Sequence, residues 1–139
     1  VSASRREPVI LGAADGLVIA LGLAVGLIAA KQPGASVWHG GLADGEAELV
    51  GMAAAVWLSG GSRRSAVACG LASLAGCVLP VAPYLFTGGS VALGLMLGLV
   101  FAVGCVIVWL RPQRGLTAVA QTFGVLVAAA VLTGGTALL

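Results

Sequence analysis

Apolar residues run along this chain in blocks of about twenty, the length a helix needs to cross a bilayer, and short polar segments punctuate them. The first block covers about residues 8–30, with Pro8 placed for the first turn of a helix. Lys31-Gln-Pro-Gly-Ala-Ser36 breaks it, since Pro33-Gly34 is a turn signal. A second block covers 38–59 and ends at Ser59-Gly-Gly-Ser-Arg-Arg-Ser65. The third, 66–86, is interrupted by Pro80 and Pro83. Thr87-Gly-Gly-Ser90 leads into a fourth at 91–110, and Arg111-Pro-Gln-Arg114 into a fifth at 116–138. The pattern predicts an all-α membrane protein, one domain of five transmembrane helices with the two termini on opposite sides.

The second block breaks the rule that the others obey. Its outer half carries Asp44, Glu46 and Glu48, and an acid at the centre of a spanning helix costs about 2.5–3.5 kcal/mol on insertion scales. Such groups persist where they face protein, water or a cation. Asp15 is the other acid inside a block. No Lys or Arg lies at the depth of Asp15 or Glu48, so a proton or a cation is the expected counterpart.

Composition narrows the class. Hydrophobic residues make up 60% of the 139 and charged residues 9%, against about 25% charged in soluble domains. The mean hydropathy is +1.12. This is too little polar surface to cover a globule in water, so the chain is expected to be integral to a membrane, here the cytoplasmic membrane of a prokaryote. The opening residues are not expected to form a cleavable signal, because the apolar run behind them is too long and contains Asp15. Cys69, Cys77 and Cys105 fall in apolar runs without a C-x-x-C and read as small buried residues.

Basic residues set the orientation. Arg5 and Arg6 precede the first block, Arg63 and Arg64 follow the second, and Arg111 and Arg114 follow the fourth. With five spans all six arginines fall on one face and only Lys31 on the other, which predicts a cytoplasmic amino terminus and an outer carboxyl terminus. Trp57 and Trp109 would form an inner aromatic belt, Trp38 and Tyr84 an outer one. Gly12-x-x-x-Gly16, Gly22-x-x-x-Gly26 and Gly94-x-x-x-Gly98 allow close helix approach, within one subunit or between two. Five short helices enclose little interior, so a homodimer is expected.

Helical spacing sorts the acids. Asp44, Glu48 and Met52 recur every four residues and stack along one face, whereas Glu46 points roughly the other way. Carboxylates suit divalent cations in general, and a thioether shifts preference towards softer transition metals. Asp15 lies about 10 Å in from the start of the first block and Met52 about 10 Å in from the end of the second, at matching depth in two antiparallel helices. Glu48 and Asp44 follow outward in steps of about 6 Å. The candidate metal ligands are therefore Asp15, Asp44, Glu48 and Met52. His39 sits at the outer boundary as an interfacial residue. No H-E-x-x-H, serine–histidine pairing or phosphate-binding loop is present, so neither an enzyme nor a nucleotide-driven pump is expected.

These stretches resemble the vacuolar iron transporter family, five-span exporters of ferrous iron and manganese. Arg6-Glu-Pro-Val-Ile-Leu-Gly-Ala-Ala-Asp15-Gly-Leu-Val looks like the family's opening signature, which ends in D-G-L-V. Gly41-Leu-Ala and Gly51-Met52-Ala-Ala-Ala-Val-Trp-Leu-Ser59 align without a gap on G-L-A … S-M-A-A-G-E-Y-V-S. Gly76-Cys-Val-Leu-Pro80-Val-Ala-Pro83-Tyr-Leu is similar to G-x-x-x-P-x-x-P-Y. The last two blocks match in character alone. The resemblance implies an ion path lined by Asp15, Met52, Glu48 and Asp44, proton-coupled export of Fe²⁺ or Mn²⁺ as substrate, no cofactor, no nucleic acid, and a dimer with the path at its interface. Three positions depart from the pattern. Val56 stands where the family has the glutamate of G-E-Y. Glu48 stands where a methionine is common, which makes the path more acidic and less soft. Gly60–Ser65 replaces a cytoplasmic helical metal-binding domain, which makes this a minimal member. The alternative is a non-transporting membrane subunit whose acids pair with a partner protein; transport of a small organic cation is a third reading.

Overall fold

A computed structural model describes residues 3–111 and 115–137, and every regular element in them is a helix. They are α1 (Ala3–Ala29), α2 (Gly34–Leu58), α3 (Arg63–Val81), α4 (Pro83–Phe86), α5 (Gly89–Leu110) and α6 (Leu116–Ala137). Four of them, over Arg6–Ala29, Arg63–Val81, Gly89–Leu110 and Leu116–Thr136, are long and apolar enough to cross a membrane. This is an integral membrane protein. α2, at 25 residues, carries three carboxylates and is not among those four.

The boundaries differ from those the pattern predicts, each for a local reason. α1 already runs from Ala3, so Pro8 lies inside the helix rather than in its first turn. α1 ends where Lys31 takes φ 55°, while the Gln32 amide donates to the Leu27 carbonyl at 2.8 Å. This is a left-handed helix stop made without glycine, so α2 starts at Gly34, earlier than Trp38. Gly60, at φ 85°, turns the chain out of α2. Ser62 then caps α3, its Oγ accepting from the Ser65 amide at 3.1 Å. The third block is two helices rather than one. Pro80 withholds the N–H that would reach the Gly76 carbonyl, and Pro83 opens α4 at its first position. The predicted Leu138 end and the side chains of Arg5 and Arg114 lie outside the described residues.

The core mixes small side chains with Leu17, Val37, Val81 and Met96, while many other large apolar side chains face outward. Ala20, Ala24, Cys69, Ser73, Cys77 and Ala92 are fully buried, whereas Leu58, Phe86, Trp57 and Leu132 stand well exposed. A water-soluble monomer rarely exposes so much contiguous apolar surface. In lipid there is no hydrophobic drive between helices, and close van der Waals packing of small residues holds them together. α1 is the hub, packed against α2, α3, α5 and α6. Its tightest crossing is with α3. A side chain at Gly12 would strike the Cys69 carbonyl, and one at Gly16 the Ser73 carbonyl. From the other side Gly76 approaches the Ala13 carbonyl, where a Cβ would stand 2.6 Å away. Gly70 makes a second such crossing against the Leu49 carbonyl of α2. Gly22 and Gly26 seat Thr133 of α6. Gly94 and Gly98 of α5, by contrast, face open space.

Two side chains fall elsewhere than the sequence suggests. Tyr84 is buried, with its ring over Gly34, so it is not a residue of an outer aromatic belt. Cys105 is exposed on α5, unlike the buried Cys69 and Cys77, and borders an open pocket between α5 and α6.

Candidate functional site

The two glycine crossings decide where the acids meet. Asp15 precedes Gly16, which lies on the backbone of α3 at Ser73. Glu48 precedes Leu49, whose carbonyl lies on Gly70, one helical turn before Ser73. α3 therefore brings α1 and α2 against neighbouring turns of itself, and the two acids arrive side by side. The Glu48 carboxyl lies close to that of Asp15, within electrostatic reach of it. Ser73, fully buried, donates its hydroxyl to Glu48 Oε2 at 3.4 Å. One turn further along α3, the Cys77 thiol donates to the Gly16 carbonyl at 3.3 Å and ties α3 to the residue beside Asp15.

Of the four residues expected as ligands, Asp15 and Glu48 are neighbours. Asp44 lies one turn away on α2, partly buried and within electrostatic reach of Glu48. Met52 is partly buried one turn to the other side. Glu46 is exposed, off the face that carries Asp44 and Glu48. His39 is also exposed, with Nδ1 2.8 Å from the Ala35 carbonyl of its own helix. Val56, a turn past Met52, reaches a separate apolar cavity. Among the described residues no three His, Cys, Asp or Glu side chains gather closely enough to cage an ion. The site is thus a carboxyl pair with a hydroxyl donor, flanked by a third acid and a thioether.

This chemistry suits a proton or a divalent cation. Two carboxylates that share a site repel one another, and a proton or a cation between them relieves that repulsion. Ser73 escaped the motif reading, although Gly70-x-x-Ser73-x-x-Gly76 is a small-residue run at helical spacing. Such a run marks the face on which other helices pack closely, and a hydroxyl within it must reach into the packed interface.

Comparison with protein-family models, curated proteins and solved structures returned no match for this chain.

Proposed function

We propose that this protein is a proton-coupled exporter of a divalent transition metal, Fe²⁺ or Mn²⁺, with five spans, a cytoplasmic amino terminus and an outer carboxyl terminus, working as a homodimer. The observation that carries the reading is the proximity of Asp15 and Glu48 between two long helices, with Ser73 donating its hydroxyl to Glu48. The resemblance of the Asp15-Gly-Leu-Val and Met52-to-Ser59 segments to the vacuolar iron transporters supports it. So does the gathering of the start of α1, the end of α2, the end of α5 and the start of α6 around one cavity, since an odd number of antiparallel spans then puts the termini apart.

In this mechanism the proton shared by Asp15 and Glu48 leaves when the dication binds across both carboxylates. That exchange of one proton for one dication takes the site from a net charge of −1 to neutral, and the reverse step returns the proton as the metal departs. Met52 contributes a soft donor on the inner side, and Asp44 receives the ion one turn outward. Two carboxylates are fewer ligands than Fe²⁺ or Mn²⁺ accepts; water and the same residues of a second copy complete the shell.

Metal uptake into inverted vesicles with an imposed pH gradient tests the proposal. Asp15→Asn and Glu48→Gln are each expected to abolish uptake while the protein keeps its helicity and oligomeric state. Uptake unchanged in both variants would refute the mechanism. If the purified wild type binds no divalent metal in calorimetry, the acids serve a partner protein instead.

A further inference from the structure

A cavity of about 860 Å³ lies apart from the carboxyl pair. It opens between α1, α5 and α6 and is closed at one side by Val56 of α2. Its walls are apolar, with Leu17 and Leu126 buried and Val18 and Val125 also lining it. Its mouth is polar: Glu7, Arg111, Gln121 and Thr122 line it. From Glu7 to Val18 the cavity follows α1 for about 16 Å, close to half of a hydrocarbon core of roughly 30 Å. Its volume lies within the range of about 300–1,000 Å³ typical of small-molecule sites.

Depth, walls and mouth together describe the shape of one leaflet's lipid. We propose that this cavity holds a bilayer glycerophospholipid with a zwitterionic, phosphate-plus-ammonium headgroup. Acyl chain fills the apolar walls, the phosphate meets Arg111, and the ammonium meets Glu7. Arg111 uses part of its fork of five donors on α6, with Nη1 3.5 Å from the Ala118 carbonyl and 3.3 Å from Thr122 Oγ1. That fixes the guanidinium at the mouth and leaves donors for a phosphate. A purely anionic headgroup would meet Glu7 and a purely cationic one Arg111, so charge favours a headgroup carrying both signs. Ion passage is disfavoured, since Val56 presents a branched hydrocarbon to this space. The inference stands apart from the transport reading, because none of the carboxyl-pair residues lines the cavity.

Native mass spectrometry of the purified protein, incubated with equal amounts of phosphatidylethanolamine and phosphatidylglycerol of the same chains, tests it. One lipid per chain is expected, with the ethanolamine lipid retained about threefold over the glycerol lipid, the scale of one exposed charge contact. Glu7→Gln is expected to level the two lipids, and Ala14→Trp, which fills the wall, to remove both at unchanged helicity. Should Ala14→Trp fail to fold, Val125→Trp gives a second readout: its fluorescence is quenched by brominated-chain phosphatidylethanolamine and restored by the unlabelled lipid. Equal retention of the two lipids by the wild type, or adducts unaffected by Ala14→Trp, would overturn the proposal. So would a lipid-free dimer that falls apart in Ala14→Trp, since the occupant would then be a second copy.

Discussion

The two sides of this bundle are held together in different ways. On one side α1, α2 and α3 touch backbone to backbone through Gly12, Gly16, Gly70 and Gly76, and buried polar groups lie in the seams. On the other, α5 and α6 meet through side chains. Phe123 covers Gly104, and its ring centre stands 5.4 Å from that of Phe101. No carboxylate occurs in either helix. Close backbone approach fixes helix axes to within a fraction of an ångström, because interiors this dense have no slack. A carboxyl pair depends on such fixity, since a small shift would part the two groups. Side-chain packing tolerates more substitution, and the side built that way carries no acid.

The sharpest way to break this comparison is to place a side chain in each kind of seam. Gly16→Leu would drive its Cβ into the Ser73 backbone, and an overpacking cost of at least about 3 kcal/mol is expected, seen as loss of the folded protein in a detergent melting scan. Gly98→Leu on the open face of α5 should melt within about 0.5 kcal/mol of the wild type. Equal melting of the two would remove the distinction between the sides. Ser73→Ala comes next. It leaves both carboxyls in place but removes the donor to Glu48, and a hydrogen bond to a charged group contributes about 1.5 kcal/mol or more. At 3.4 Å the lower end applies, so a rise of about tenfold in the metal concentration for half-maximal uptake is expected.

Phe123→Ala tests the other side. About 1 kcal/mol should be lost from the aromatic pair and its cover over Gly104, measured as a lowered melting midpoint with metal uptake unchanged. The smallest effect belongs to Glu46→Gln. Its carboxylate is exposed, away from the pair, so uptake should stay within about twofold of the wild type, a difference of under ~0.5 kcal/mol. A loss as deep as that expected of Glu48→Gln would put Glu46 in the path after all.

Much of the fold could be read from residue types. Runs of about twenty apolar residues fix where helices lie, because in lipid each backbone polar group must be satisfied within its own segment. Turn chemistry at Gly60 and Ser62 and the prolines at 80 and 83 punctuates those runs legibly, although Lys31 stops α1 in a conformation that sequence rarely assigns to lysine. Periodicity on α2 separates Asp44, Glu48 and Met52 from Glu46 without any coordinates, since an α-helix places every fourth residue on one face.

Which helix faces meet is another matter. Gly12-x-x-x-Gly16 and Gly94-x-x-x-Gly98 look alike in sequence, yet the first is crossed by α3 and the second by nothing. Small residues permit approach, but only the path of the whole chain determines what approaches. For the same reason Ser73 could not be assigned to Glu48 from the sequence, nor could Tyr84 be distinguished from an interfacial tyrosine or Cys105 from its buried counterparts. The sequence by itself determined the membrane class, the helices and the face on which the acids lie. The tertiary structure alone decided that α3 carries Asp15 and Glu48 to one another, because that pairing depends on two backbone crossings about a turn apart on a third helix.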